Sequence, residues 1–195
     1  MSDHGHSDGH DHDHSARHGR GEPAPAHAGH PHRRDAPARV PTAVITVSDT
    51  RTLETDTGGA LVVEHLEAAG HPVASREIVP DEPAEIAAAV RQALGREDVR
   101  AVICTGGTGV APRDVTPDTV EPLLERVVPG FGELFRQLSY ADIGSAAILS
   151  RALAGLAGGR VVFVIPGSRG AVRLAMEKLI VPEIAHLAGE AVKTR

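Results

Sequence analysis

The sequence predicts the α/β fold class, with a mainly parallel sheet covered by helices on both faces. From Val40 onward, short β-branched runs alternate with longer segments whose apolar residues recur at helical spacing, the pattern of repeated strand–helix units. The chain has 195 residues, of which 41% are hydrophobic, and this is enough for one domain with a sizeable core.

The strands are predicted from their β-branched and apolar runs. The first covers 42–47, and the third, at 99–104, is apolar at its centre, as a buried strand should be. The second, at 73–79, is less apolar, so we expect it nearer an edge of the sheet. A last buried strand covers 161–165.

Helices are predicted between and after these strands. Apolar residues line one face of two segments that end at glycines, as helices commonly do. The predicted helices are 57–69, 82–94, 116–124, 130–138 and 168–187, the last broken near Pro182.

The segment 145–156 allows two interpretations. Residues 147–149 suit a helix, whereas 152–156 suit a strand that forms a hairpin with the last strand through Gly158 and Gly159.

The first 39 residues differ in composition from the rest. They contain nine of the 12 histidines, mixed with Gly, Asp, Ser and Pro. Such a segment buries too little surface to offset its ordering entropy, so we expect a disordered tail at 1–39 and a folded domain at 40–195. Alternating His and Asp suit weak binding of Zn, Ni, Co or Cu, either incidental or serving metal buffering or delivery.

Composition also limits the location and the partners. The net charge of −6 argues against a nucleic-acid partner, which usually needs a basic face. The single cysteine, Cys104, excludes an intrachain disulfide and fits a reducing compartment. The sequence has no apolar run of membrane-spanning length and no signal-peptide core, so we expect a soluble cytoplasmic protein without a membrane partner.

Distinctive residues follow each predicted strand. Ligands bind beyond the carboxyl ends of the strands in an open α/β sheet, so these residues should converge on one site. They are Ser48 and Asp49, then Asp81, then Thr105, Gly106, Gly107, Thr108 and Gly109 with Asp114, and finally Pro166, Gly167 and Ser168.

The most informative of these segments is Cys104–Gly109, followed by Arg113-Asp114-Val115-Thr116-Pro117. A loop with so little side-chain bulk brings backbone N–H groups against an anionic group. Asp114 suits a divalent cation beside that anion, and Thr116 and Pro117 suit the N-cap and the first residue of a helix. Together these features predict phosphate chemistry.

Most of these residues also have a purely structural interpretation. Asp56 and Asp81 suit helix caps, and Asp114 suits an Asx-turn ahead of Thr116. Arg113 and Arg169 are either phosphate clamps or solvated charges. The sequence lacks both the GxGxxG fingerprint and a Walker A loop, which argues against nicotinamide enzymes and P-loop NTPases.

Four segments together carry a specific resemblance to a known family: TGGTG at 105–109, RDVTPDT at 113–119, PGFGELFR at 129–136 and IPGS at 165–168. The chain resembles the MoaB/MogA family of molybdenum cofactor biosynthesis proteins, over roughly 40–190. The resemblance implies a three-layer α/β/α fold with a mainly parallel sheet, assembled as a trimer or hexamer. It also implies adenylylation of molybdopterin by ATP with release of pyrophosphate, before a molybdenum insertase uses the product.

The resemblance also assigns residues. Asp114 and Asp81 match the family's acids, which we expect to be catalytic and to hold Mg²⁺. Ser150, followed by Arg151, matches a Ser-Arg pair of the family. The expected residues that bind substrate or phosphate are Ser48, Asp49, Asp56, Thr105, Gly106, Gly107, Thr108, Gly109, Thr116, Ser150, Pro166, Gly167 and Ser168.

Two other function classes stay open at this point. One is a non-catalytic protein that binds molybdopterin and passes it to a partner without using ATP. The other is a metal carrier in which the histidine-rich tail is the active part.

Overall fold

The computed structural model describes residues 36–193, which form one six-stranded sheet flanked by helices. The strands lie in the order β2-β1-β3-β6-β5-β4. Their bounds are β1 Thr42–Val47, β2 Val73–Val79, β3 Ala101–Thr105, β4 Arg126–Val127, β5 Leu153–Ala157 and β6 Arg160–Ile165. The first four strands in this order pair in parallel, and β5 and β4 add an antiparallel edge.

Six helices connect and cover these strands. They are α1 Thr57–Ala68, α2 Pro83–Gly95, α3 Thr116–Val120, α4 Pro129–Ile143, α5 Arg169–Ala175 and α6 Val181–Ala191. Short 3₁₀ turns follow α3 at Glu121–Leu123 and α4 at Gly144–Leu149, and a π-helical turn at Met176–Ile180 joins α5 to α6.

The sheet separates two hydrophobic cores. Helices α1, α4, α5 and α6 pack on one face, where Phe135 is buried and the rings of Phe131 and Phe163 lie 5.4 Å apart. Helices α2 and α3 pack on the other face, around Ile45 and Val90. The result is the predicted three-layer α/β/α arrangement, in which Ala, Val, Leu and Ile supply most of the packing.

The register of the parallel strands brings their carboxyl ends level with one another. Thr46 of β1 lies opposite Thr105 of β3, which in turn lies opposite Ile165 of β6. Val47 lies opposite Val79 at the end of β2. All four loops that leave these strands therefore begin at the same end of the sheet, the end formed by the carboxyl ends of the parallel strands.

The structure confirms the fold class and the edge position of β2, and it shows the hairpin of β5 and β6. Two details of the element predictions were wrong. The two-residue strand β4 was missed, because its pairing with β5 and not its composition creates it. Helix α4 continues to Ile143. The predicted break near Pro182 is present: the π-helical turn ends at Ile180, and Pro182 lies in the first turn of α6, where proline is tolerated.

The predicted tail lies outside the described residues, except for 36–39, which form no helix or strand. Within residues 36–193, no helix is both long enough and apolar enough to cross a membrane.

Candidate active site

Hydrogen bonds tie the four strand exits together. The backbone N–H of Gly106 donates to the carbonyl of Ile165 at 3.0 Å, and the Thr105 hydroxyl donates to the carbonyl of Pro166 at 3.3 Å. The N–H of Ser48 donates to the carbonyl of Val79 at 2.9 Å. The groups predicted to converge therefore do lie together at the carboxyl ends of the parallel strands.

The close approach of β1 and β3 at their carboxyl ends requires a glycine at position 106. Its φ of +110° lies in a region that side chains disfavour, and a Cβ at this position would lie 2.3 Å from the carbonyl oxygen of Val47. The backbone of Gly167 packs against the same residue, with its own Cβ position 3.3 Å from the Gly106 Cα. The glycines let three chain segments meet where a ligand is expected.

Two cavities adjoin at this point. The first, about 190 Å³, is lined by Thr46, Val47, Ser48, Arg51, Asp56, Thr57, Gly58, Thr105, Gly106 and Gly167. The second, about 340 Å³, is lined by Gly107, Thr108, Gly109, Asp114, Phe135, Ser139, Ile143, Leu149, Ser150, Pro166, Gly167, Ser168 and Ala171. Gly167 belongs to both, and the glycine loop passes from one cavity to the other between Gly106 and Gly107.

The wall of the second cavity includes residues that were not predicted from the sequence. Phe135, Ser139 and Ile143 come from α4, and Leu149 comes from the 3₁₀ turn after it. The recurrence of Phe135, Ser139 and Ile143 at every fourth position was a visible signal of one helix face. Nothing local indicated that this face would meet the glycine loop.

Asp49 and Asp81 join the exits of β1 and β2. The N–H of Asp49 donates to Asp81 Oδ2 at 3.1 Å, and the N–H of Asp81 donates to Asp49 Oδ1 at 3.0 Å. That amide, together with the Arg113 guanidinium, lowers the pKa of Asp49. Burial and the nearby Asp49 charge raise the pKa of Asp81. Asp81 does not cap α2, whose N-cap is Glu82, so that alternative was wrong.

Arg113 lies between acidic side chains. Its guanidinium donates to Asp49 and, at 3.0 Å, to Glu82. Carboxylates occupy these guanidinium donors in the structure. The expected contact between Arg113 and a phosphate stays a prediction. Arg169, the other candidate clamp, is exposed at the start of α5.

Asp114 lies against the end of the glycine loop. Its Oδ2 accepts from the N–H of Ala111 at 2.9 Å, and a Cβ on Gly109 would lie 2.6 Å from that oxygen. The Asx-turn expected ahead of Thr116 is not formed, because the N–H of Thr116 donates to the carbonyl of Gly107 at 3.1 Å. The turn formed by Asp114 instead points back along the chain, to Ala111.

Thr116 is the first residue of α3, whose N-cap is Val115, so the predicted capping role was wrong. Its hydroxyl is fully buried and has no hydrogen-bond partner among the described residues. A Cβ on Gly107 would lie 2.3 Å from this hydroxyl and 3.0 Å from Asp81 Oδ1. An unpartnered hydroxyl beside a free carboxylate oxygen forms an oxygen-lined cradle under the loop, of the kind that Mg²⁺ prefers.

Within the part of the chain that the structure describes, no three His, Cys, Asp or Glu side chains are grouped to hold a metal ion. Mg²⁺ typically binds through one or two carboxylates and completes its coordination with water and substrate phosphates. Asp81, Asp114 and Thr116 therefore fit Mg²⁺ delivered with a phosphate.

Asp56 is engaged as the N-cap of α1. Its carboxylate accepts from the N–H of Gly59 at 2.9 Å, from the Thr46 hydroxyl at 2.7 Å and from Arg76 at 3.0 Å. Burial alone would raise the pKa of Asp56, but these three donors outweigh burial and leave that pKa lowered. The capping interpretation therefore describes its geometry, and its predicted contact with substrate stays a prediction.

The remaining predicted serines lie around the second cavity. Ser168 caps α5, accepting from the N–H of Ala171 at 3.4 Å. The hydroxyl of Ser150 is buried and lacks a partner among the described residues. Ser150 thus brings an unsatisfied polar group to a cavity expected to receive a polar ligand.

Comparison with known proteins identifies the family. A family model described as a probable molybdopterin binding domain matches residues 43–186. The chain belongs to the MoaB/MogA family of molybdenum cofactor biosynthesis proteins. Molybdenum cofactor biosynthesis protein B of Halalkalibacterium halodurans is 50% identical over 165 residues, covering 84% of this chain and 97% of the relative.

Solved structures of the MoaB/MogA family have the same fold. A crystal structure of molybdenum cofactor biosynthesis protein B superimposes with a TM-score of 0.77 at 52% identity, covering 78% of this chain and 96% of that one. The tungsten cofactor synthesizing protein MoaB from Pyrococcus furiosus gives a TM-score of 0.73 at 36% identity, covering 81% of this chain and 100% of that one.

Proposed function

We propose that the protein adenylylates molybdopterin with ATP and releases pyrophosphate. One observation carries the proposal: two adjoining cavities share the glycine loop, with acidic side chains on its rim. A reaction between two phosphate-bearing substrates needs two spaces that meet at a phosphate-binding loop. The match to a family model described as a probable molybdopterin binding domain supports molybdopterin as one of these substrates.

In this reaction an oxygen of the molybdopterin phosphate attacks the α-phosphorus of ATP, and pyrophosphate leaves. The backbone amides of Gly107, Thr108 and Gly109 would bind the phosphates and stabilise the developing charge, whereas the amide of Gly106 is engaged by the carbonyl of Ile165 and shapes the loop. Asp81, Asp114 and the Thr116 hydroxyl would hold Mg²⁺, which when bound neutralises phosphate charge. Positioning supplies most of the rate, so the site needs no strong base.

Pyrophosphate release from ATP with Mg²⁺, measured with and without molybdopterin, tests this proposal. We expect release that depends on the pterin and falls about 10²-fold or more in Asp114→Asn, with little loss of pterin affinity. Asp98→Asn is the control, because this exposed acid lies just before β3, at the end of the strands opposite to the glycine loop. Near-normal turnover in Asp114→Asn would refute the assigned role, and pterin binding without any release would favour the scaffolding alternative.

We also propose that the protein assembles into a trimer or hexamer and passes its product to a molybdenum insertase. Large apolar residues on α4 and the turn after it are exposed, and such a patch is typical of a protein interface. They are Leu134, Tyr140, Ile143, Ile148 and Leu149. Sedimentation analysis of the purified protein tests the assembly, and a monomer would contradict it.

A cytoplasmic location fits the use of ATP and the buried thiol of Cys104, whose pKa burial raises to about 12.

A further inference from the structure

One guanidinium holds both ends of the exposed loop between Gly109 and Asp114. Arg151 Nε donates to the carbonyl of Gly109 at 2.7 Å, and a terminal nitrogen donates to the carbonyl of Asp114. The other terminal nitrogen donates to Asp118 at 2.7 Å, and the backbone N–H of Arg151 donates to the carbonyl of Thr108 at 3.1 Å. Arg151 therefore binds the chain before, at and after the acid assigned to the reaction.

The loop has few other attachments to the domain. The bonds between Ala111 and Asp114 close a turn within the loop itself. The ion pairs of Arg113 leave the loop for Asp49 and Glu82, but the Arg113 side chain is 60% exposed. Exposed ion pairs contribute little to holding a segment in place. The contacts of Arg151, whose side chain is 32% exposed, are the better-shielded attachment.

The geometry also requires arginine. Three acceptors lie in three directions around one planar group, and the fixed fork of a guanidinium reaches them together. The ammonium of a lysine is a compact point charge on a flexible stem, and it would bind the Asp118 carboxylate while releasing the carbonyls. Arg151→Lys is thus a conservative change in charge that removes the bridge across the loop.

We propose that Arg151 is a positioning residue that sets the location of Asp114 relative to the glycine loop. It acts through the backbone of Gly109 and Asp114, not by contact with a substrate. The part of this inference that concerns turnover rests on the proposed adenylylation, whereas the part that concerns the loop does not.

A double-mutant cycle with Arg151→Lys and Asp114→Asn tests the inference through the kcat and KM of pyrophosphate release. We expect Arg151→Lys to lower kcat about 10- to 100-fold while changing KM for ATP by less than about threefold. In the Asp114→Asn background the same substitution should cost less than about threefold, because the group that it positions is already disabled.

Arg96→Lys is the matched control. Arg96 also binds a carbonyl, that of Ala74, and a carboxylate, that of Asp98, and its side chain is 35% exposed. It lies between α2 and β3, at the amino end of β3, whereas the glycine loop follows the carboxyl end of that strand. Arg96→Lys should leave kcat unchanged. Additive losses in the cycle, or an equal loss in Arg96→Lys, would overturn the inference.

Hydrogen exchange of the amides in 108–114 separates this inference from the proposed function. We expect faster exchange there in Arg151→Lys than in the wild type and in Arg96→Lys. If the wild-type protein releases no pyrophosphate, the proposed function fails, and exchange still decides whether Arg151 fixes the loop. Unchanged exchange in Arg151→Lys would overturn the inference whatever the activity.

Discussion

In the glycine loop, the backbone of Gly107 passes directly over the side chain of Thr116. Its φ is +59°, and a Cβ would lie 2.3 Å from the Thr116 hydroxyl. We expect Gly107→Ala to lower both stability, by about 2–4 kcal/mol, and the turnover of pyrophosphate release, because backbone strain and a clash add together. Gly70→Ala separates the two causes, since Gly70 has a φ of +80° with nothing within 4 Å of its Cβ position. The control should lose only about 1 kcal/mol in urea unfolding and keep its turnover; equal effects would show that the clash is irrelevant.

His71 makes stability depend on pH. Its Nδ1 accepts from the buried N–H of Val40 at 3.2 Å, and burial lowers the pKa of the imidazole from the ordinary value of 6.5. The unfolded chain therefore takes up this proton at a higher pH than the folded protein does. Between pH 6.5 and the folded pKa, the contribution of His71 to stability should fall as pH falls, by up to about 1.4 kcal/mol per pH unit.

Urea unfolding at pH 7.5 and pH 5.5 measures this dependence. His71→Gln keeps a hydrogen-bond acceptor but cannot titrate, so we expect a smaller loss of stability between the two pH values than in the wild type. An identical loss in both proteins would show that other groups are responsible.

At the scale of elements, the N-terminus of α1 depends on one carboxylate. Asp56 caps this helix and also binds Thr46 on β1 and Arg76 on β2, so it joins a helix to two strands. We expect Asp56→Ala to lower the free energy of unfolding by about 2–4 kcal/mol, because it removes a cap and leaves Arg76 without its acid. Asp56→Asn, which keeps a capping oxygen, should lose less. The matched control is Asp98→Ala, which breaks an exposed pair with Arg96 and should cost less than about 1 kcal/mol. Similar losses in Asp56→Ala and Asp98→Ala would contradict this account of α1.

Elements were predictable where one short segment carried the whole signal. The β-branched run of β1 and the apolar face of α2 are visible within a dozen residues, and both form as predicted. Strand β4 has only two residues, Arg126 and Val127, and exists because β5 lies beside it. Its formation depends on a partner about 30 positions away, which no local pattern reports.

At the scale of the whole molecule, the histidine-rich segment and the folded domain should act independently in catalysis. We expect removal of residues 1–38 to leave pyrophosphate release within about twofold of the wild type. The same truncation should abolish the binding of Zn, Ni, Co or Cu, because nine of the 12 histidines are lost.

Equilibrium dialysis of the tail and of the truncated protein measures the metal binding. A tail dissociation constant weaker than about millimolar would exclude a role in metal buffering or delivery. Loss of turnover on truncation would instead mean that the tail takes part in the reaction.

The sequence by itself determined the α/β class, the family and which loops follow the parallel strands, among them the glycine loop that precedes Asp114. These follow from local periodicity, from residue types at strand ends and from motifs that specify the family. Only the tertiary structure decided that Thr116 is buried without a partner among the described residues, that Asp56 also binds Thr46 and Arg76, and that Arg151 bridges the loop. The reason is physical: hydrogen-bond partners and burial depend on segments far apart in the chain, which meet only when the sheet and its helices pack.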